Sequence, residues 1–166
     1  PYLIDVKGGG AFGNKNRKYQ RDIMGAKLTQ GFDPAFLEPG FCGSFVVFCH
    51  NDQLHTLLPL AQERFHRHAV LSWHKSNPMP VANKHYRPDT EFFVHAWGKE
   101  YHPVGRLEDK GRQWVGAVGK STYDHPTVKP LPLMMEILKN VNPGEAPIID
   151  PFMGTGTTLV ASVLEG

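Results

Sequence analysis

The stretch "IIDPFMGTGTTLVAS", residues 148–162, decides the fold class of this chain. Two isoleucines before Asp150 predict the end of a short apolar strand, and residues 157–164 have the apolar pattern of a helix. Gly154 and Gly156 allow a tight turn and a close approach of the backbone to a ligand. Because the first N–H groups of a helix lack partners, this arrangement indicates a nucleotide-type pocket. The alternative is a glycine turn that only packs the helix on the strand.

Two familiar glycine motifs do not match this stretch. A P-loop requires a lysine before its Ser or Thr, but Thr155 and Thr157 flank Gly156 with no lysine nearby. The dinucleotide fingerprint requires Gly or Ala three places after its second glycine, where this chain has Leu159. The sequence therefore argues against an NTPase and leaves NAD binding as a minor alternative.

The rest of the chain alternates apolar runs with helical patterns. The predicted strands are 44–49, 68–75 and 90–97, and the predicted helices are 51–65, capped by Asn51 or Asp52, and 130–141. Strands that alternate with helices are typical of the α/β class with a mostly parallel sheet. A length of 166 residues and 40% hydrophobic content suit one globular domain, with no membrane span, signal peptide or zinc spacing visible.

Positive charge is concentrated in two glycine-containing segments. Residues 1–30 carry six basic and two acidic side chains, and residues 99–123 carry five basic and three acidic ones, whereas the whole chain has a net charge of only +2. This asymmetry favours a polyanionic partner. The alternative is two solvated loops whose charge has no partner.

Three further motifs indicate a family. "HPTVKP" at 125–130 and "DPFMGTGTT" at 150–158 resemble motifs X and I of the amino-DNA methyltransferases that use S-adenosylmethionine. Pro1 and Tyr2 resemble the second half of the catalytic Asp-Pro-Pro-Tyr motif of that family, and "WHKSNPMP" at 73–80 also resembles it. The order, with the catalytic motif first and the cofactor motif last, resembles the β class of these enzymes.

The resemblance implies a Rossmann-like methyltransferase fold of α/β class, with a mostly parallel sheet and helices on both faces. It also implies a single catalytic domain over 1–166, with a short target-recognition insert at about 99–123. Because the catalytic motif would begin before Pro1, and the chain ends at Gly166, inside or just after the motif I helix, we expect a fragment that is incomplete at both ends. The competing explanation is an initiator methionine removed before proline, which would make the "PY" match accidental.

The resemblance also implies the site residues. Pro1 and Tyr2 would be catalytic, and Tyr2 would stack on a base flipped out of the duplex. The residues implied for S-adenosylmethionine binding are Thr127, Lys129, Asp150, Phe152, Gly154, Gly156, Thr157 and Thr158. Lys129 would meet the cofactor's carboxylate as a point charge. The alternatives are a solvated lysine for Lys129 and a core residue for Phe152.

Double-stranded DNA is the implied partner, without metal or membrane. The residues expected to contact DNA phosphates are Lys15, Arg17, Lys18, Arg106, Lys110 and Arg112. Adenine N6 is the favoured target and the expected compartment is the cytoplasm of a prokaryote or of a phage host. The motifs identify neither the recognition sequence nor any cognate restriction nuclease. The alternatives are a cytosine-N4 enzyme, an enzyme acting on RNA or protein, and a non-catalytic binding remnant.

Overall fold

The computed structural model describes residues 31–78, 86–119, 128–141 and 146–165. Its strands are β1 (Ser44–Cys49), β2 (Arg67–Lys75), β3 (Thr90–Trp97) and β4 (Gln113–Gly116). Its α-helices are α1 (Leu54–Arg64), α2 (Leu131–Val141) and α3 (Thr157–Glu165), and short 3₁₀ turns lie at Pro34–Phe36, Asn51–Gln53, Lys99–Tyr101 and Leu107–Asp109. The three strands predicted before residue 100 are confirmed, as are the helices predicted in the α1, α2 and α3 regions.

The four strands form one mixed sheet in the order β1-β3-β2-β4. β3 lies antiparallel between β1 and β2, and β4 is parallel to β2. The α/β class is confirmed, but two of these three pairings are antiparallel, which corrects the expectation of mostly parallel strands for the described sheet. The residues joining β2 to β3 carry prolines and no helical pattern, and parallel neighbours normally need a crossover helix between them.

Helices cover both faces of this sheet, as the family resemblance implies. Alternate residues of β1 and β3 point to α1 and form one core. The buried members of that core are Leu37, Phe45, Val47, Cys49, Leu57, Ala61, Phe65, Val94 and Ala96. The opposite face packs against α2 and α3, and its buried members are Trp73, Phe93, Leu133, Met134, Ile137, Leu138 and Ala161.

The beginning of α1 differs from its predicted cap. A 3₁₀ turn precedes the helix, and His50 caps that turn rather than Asn51 or Asp52. The Gln53 side chain accepts a hydrogen bond from the His50 N–H at 2.9 Å, and the His50 ring accepts from the Asp52 N–H at 3.4 Å. The regular helix starts only at Leu54, and its buried residues Leu57 and Ala61 pack in the core on that face of the sheet.

Residues 99–119 are more ordered than the loop expected from their glycines. They contain β4, whose four residues are too few to show a strand pattern in the sequence. The Trp73 indole N–H donates to the Gly116 carbonyl at 2.9 Å, which fixes the end of β4 to β2. Beyond it, the Asn77 amide donates to the Val118 carbonyl and accepts from the Val118 N–H.

The short strand predicted before Asp150 is absent from the structure. Residues 146–150 have no regular secondary structure, and Ile148 and Ile149 are 42% and 63% exposed. A strand needs a neighbouring strand to take up its backbone hydrogen bonds. None of the four described strands pairs with this segment, so its apolar side chains remain uncovered within the described part of the chain.

Candidate functional site

The glycine turn that precedes α3 has the conformation that its sequence predicts. Gly154 and Gly156 have φ values of 55° and 76°. These values lie in the left-handed region, which strains the backbone of any residue that has a side chain. Asp150 accepts a hydrogen bond from the Phe152 N–H at 3.0 Å, and Gly156 donates to the Met153 carbonyl at 2.8 Å. These bonds close two successive turns that lead into the helix.

The turn leaves open space beside its backbone. A Cβ placed on Gly156 would meet no atom within 4 Å. α3 begins at Thr157, followed by Thr158, so its first N–H groups and the positive end of its dipole lie next to this space. The Thr155 and Thr157 hydroxyls are 3.2 Å apart. The arrangement can receive a polar or anionic group close to the main chain.

Phe152 belongs to an aromatic cluster rather than to either core. Its ring centroid lies 5.4 Å from that of Phe32, nearly perpendicular to it, and 6.4 Å from that of Phe36. The side chain remains 44% exposed. It therefore offers an accessible aromatic surface at the turn, and the alternative of a core residue is wrong.

Lys129 is largely buried and ion-paired. Its ammonium lies 2.8 Å from one oxygen of Glu91, and Lys75 lies 3.1 Å from the other oxygen. The side chains of Lys129 and Glu91 are only 14% and 16% exposed, and the Lys129 ammonium also lies 5.1 Å from the Phe48 ring centroid. Burial lowers the pKa of Lys129, and the Glu91 charge opposes that shift. The alternative of a solvated lysine is therefore wrong, and any anion bound by Lys129 must share it with Glu91.

Lys129 and the glycine turn each precede a helix, and these two helices pack against each other. α2 follows Lys129 and packs beside α3, and their C-terminal ends meet where Lys139 lies 3.7 Å from Glu165. Lys75, which shares Glu91 with Lys129, ends β2 at the carboxyl edge of the parallel strands, where ligands of α/β folds bind.

The expected DNA-contact residues in the described part of the chain lie before β4. Arg106 is hydrogen-bonded to Asp109 at 2.8 Å and paired with Glu108 at 2.9 Å. The Arg106 hydrogen bond lowers the pKa of Asp109. Lys110 and Arg112 are exposed. The other predicted site residues, Pro1, Tyr2, Lys15, Arg17, Lys18 and Thr127, lie outside the described residues.

Glu91 and Lys75 were not among the residues predicted from the sequence. Glu91 is the one acidic residue in the apolar strand "TEFFVHAW". A carboxylate in a strand that is buried on both faces requires a cationic partner. The sequence therefore indicates that Glu91 needs a cationic partner. It does not identify that partner, because Lys129 comes from a distant part of the chain.

The described ranges contain neither a metal-binding cluster nor a membrane-spanning helix. No three His, Cys, Asp or Glu side chains come together there as a metal-binding group. None of the helices there combines the length and apolar character that crossing a bilayer requires.

Known proteins resemble this chain in sequence and structure. A family model described as DNA methylase, of the N6/N4 type, matches residues 37–166. The Type II methyltransferase M2.MboI of Moraxella bovis is 29% identical over 112 residues, covering 57% of this chain and 40% of the relative. The crystal structure of an M1.HpyAVI–SAM complex is 28% identical with a TM-score of 0.61, covering 74% of this chain and 64% of that chain. A second crystal structure of M1.HpyAVI gives a TM-score of 0.57 and 28% identity, covering 74% of this chain and 62% of that one.

The chain thus spans less than two thirds of the length of each of these relatives. The family match nevertheless extends over most of the chain and includes the glycine turn, Lys129 and the mixed sheet. The chain belongs to the DNA methylase family of N6/N4 amino-methyltransferases.

Proposed function

We propose that the protein transfers a methyl group from S-adenosylmethionine to the exocyclic amine of a base in double-stranded DNA, and that the glycine turn binds the cofactor. The observation that carries this proposal is the turn of Gly154 and Gly156, with positive φ values, open space beside it and a helix N-terminus behind it. Membership in the DNA methylase family supports the reaction. The solved M1.HpyAVI–SAM complex supports the identity of the cofactor.

In the proposed cofactor site, the residues of the turn and Lys129 each contact a different part of S-adenosylmethionine. Backbone N–H groups at Thr157 and Thr158 meet the polar groups of the cofactor. The Phe152 ring supplies an apolar surface, and the Asp150 carboxylate accepts from an amine or hydroxyl. Lys129 meets the cofactor's carboxylate while Glu91 keeps the ammonium charged at its buried position. Bound S-adenosylmethionine supplies an electrophilic methyl group on its sulfonium.

The base is prepared by residues at the other end of the chain. An exocyclic amine shares its lone pair with the ring, so acceptors that draw on its hydrogens are needed before it becomes a nucleophile. In the proposed reaction Pro1 belongs to the motif that supplies such acceptors, and Tyr2 stacks on the flipped base. Holding the two reactants in line is the main contribution to rate. Tyr2→Phe should therefore keep most activity, whereas Tyr2→Ala should lose methyl transfer far more than cofactor affinity.

Calorimetric titration with S-adenosylmethionine tests the cofactor site. Gly154→Val and Gly156→Val should abolish measurable binding with the helical content retained, because a side chain would strain the turn and fill the space beside it. Gly40→Val is the matched control, since Gly40 also has no atom within 4 Å of its Cβ position but lies in a different turn. Parent-like affinity in both turn variants would refute the assignment.

We further propose adenine N6 as the methylated atom, supported by the greater frequency of adenine targets in this family. Transfer of labelled methyl to separate DNA, RNA and protein substrates identifies the class of substrate. Mass spectrometry of the digested DNA then distinguishes N6-methyladenine from N4-methylcytosine. Recovery of N4-methylcytosine alone would overturn the adenine proposal and leave the cofactor assignment intact.

A further inference from the structure

Leu107 stands out from a surface turn, with 87% of its side chain exposed. It begins the 3₁₀ turn Leu107–Asp109, and the chain around it is charged, from Arg106 on one side to Glu108, Asp109 and Lys110 on the other. Single exposed apolar side chains are common on protein surfaces, so exposure alone indicates no function. Leu107 differs from such residues because its turn is tied to the core and lies beside unpaired cations.

Asn140 ties this turn to α2. The Val104 N–H donates to the Asn140 carbonyl at 2.9 Å, and the Asn140 side-chain amide donates to the Asp109 carbonyl at 3.0 Å. Gly105 lies so close to the Asn140 side chain that a Cβ at this position would overlap it. The chain is thus attached to a core helix both before and after Leu107. A side chain on such a turn loses little conformational freedom when it binds a partner.

The charged side chains of the turn divide into paired and unpaired groups. The Arg106 guanidinium donates to the two carboxylate oxygens of Asp109 at 2.8 and 3.3 Å and pairs with Glu108 at 2.9 Å. This pairing offsets part of the negative charge beside the exposed leucine. Lys110 and Arg112 are exposed, and neither has an acidic partner within the described part of the chain. Two available cations next to a compensated group suit a polyanionic partner.

We propose that Leu107 is a wedge that inserts between two base pairs, a role that rests on the proposed function because duplex DNA is the substrate there. Lys110 and Arg112 contact the phosphates beside the unstacked step. Proteins that unstack and kink a duplex do so with apolar side chains such as leucine. A base next to a disturbed step costs less to extrude, so the wedge favours the flipping that methyl transfer needs. Leu107 contacts the DNA away from the reacting atoms.

Methyl transfer to unmethylated genomic DNA tests the wedge. Leu107→Ala should lower kcat/KM for DNA by about tenfold, with the melting temperature and the affinity for S-adenosylmethionine unchanged. Leu107→Met keeps a long apolar side chain and should restore most of the activity, whereas the polar Leu107→Asn should behave like the alanine variant. Val115→Ala is the matched control and should act like the parent. Val115 is also exposed and apolar, but it alternates on β4 with Trp114, which packs toward α2, and so faces the other way.

Untwisting of DNA separates a wedge from a simple surface contact. A closed circular plasmid is relaxed by a topoisomerase while the protein saturates it, and the topoisomers are then compared. The parent and Leu107→Met should shift their distribution, and Leu107→Ala should not. Replacing both Lys110 and Arg112 with alanine should lower the slope of the salt dependence by about two units but keep the shift at saturation.

The outcomes distinguish the wedge from the methyl-transfer reaction itself. Parent-like transfer by Leu107→Ala, the same topoisomer shift in that variant, or no shift with the parent would overturn the wedge and leave the proposed reaction in place. An equal loss of transfer in Val115→Ala would also overturn the assignment to Leu107. A parent protein that neither binds nor methylates DNA would overturn both the wedge and the proposed function.

Discussion

Replacing Glu91 by glutamine should destabilise the protein by about 3 kcal/mol near neutral pH. Glu91 lies 2.8 Å from Lys129 and 3.1 Å from Lys75, and the three side chains are between 14% and 20% exposed. At an effective dielectric constant of about 20, these distances correspond to gross attractions of about 6 and about 5 kcal/mol. The cost of burying the charges offsets most of that attraction. An amide removes the attraction but leaves in place the cost of burying the two ammonium groups, which is why a net loss of this size is expected.

The destabilisation should shrink as the pH rises. Burial already lowers the pKa of Lys129 in the folded protein, and loss of the Glu91 charge lowers it further. Between that lowered value and the ordinary lysine pKa of about 10.4, the unfolded state binds more protons than the folded state, so stability increases with pH. This pH interval is wider in the variant, because the pKa of Lys129 in its folded state is lower. The free energy of unfolding of the variant should therefore approach that of the parent at alkaline pH.

Urea unfolding near neutral pH and at about pH 9.5 measures both effects. Glu38→Gln is the control, because its pair with Arg64 is more exposed, at 49% and 27%, and should contribute about 1 kcal/mol or less. Combining Glu91→Gln with Lys129→Met should recover part of the loss, since the more deeply buried of the two cations beside the amide is then removed. A loss no larger than that of Glu38→Gln, or one independent of pH, would refute the account of this ion pair.

Four further predictions concern single features. The free energy of unfolding should fall by on the order of 3 kcal/mol as the pH drops from about 6.5 to about 4, because His95 gains its proton first in the unfolded state; His95→Phe should remove that slope in acid titrations followed by circular dichroism. Iodoacetamide should modify Cys42 well before Cys49, whose pKa burial raises to about 11, and peptide mapping that finds both equally labelled would contradict this. Gly105→Ala should cost about 1–3 kcal/mol, because its Cβ would overlap the Asn140 side-chain oxygen, whereas Gly40→Ala should be near neutral in the same unfolding assay. Replacing Lys15, Arg17 and Lys18 with alanine should flatten the salt dependence of DNA binding by about one unit of slope per lost contact, and an unaltered slope would show that this segment does not touch DNA.

The strands were predictable where burial on both faces makes a continuous apolar run. "SFVVFC" and "TEFFVHAW" supply side chains to α1 on one face and to α2 on the other. Their sequences are therefore nearly continuous apolar runs, without the polar stretches that are typical of loops. Their relative direction was not predictable from those runs alone. It depends on the connection between β2 and β3, which carries prolines instead of a helix, and on the insertion of β3 between two strands that precede it in the chain.

The candidate site, like the sheet, was predictable from the sequence only in its local features. The conformation of Gly154 and Gly156 follows from local rules, because only glycine adopts positive φ readily, and the structure has it as predicted. The surroundings of Lys129 depend on tertiary contact with Glu91 and Phe48, which are far away in sequence. A resemblance between motifs can indicate that Lys129 is a cofactor residue, but it cannot show that the Lys129 ammonium is already paired with the Glu91 carboxylate.

The position of β3 has a consequence for the folding of the nascent chain. β1 and β2 are joined by α1, yet they make no ladder with each other, because β3 pairs with both of them from between. A chain synthesised only as far as β2 therefore holds two apolar strands with unpaired edges that face a gap. Such edges can pair with other chains until the missing strand arrives. Aggregation during synthesis should consequently be greatest before residue 97 has left the ribosome, and should decrease once β3 can insert.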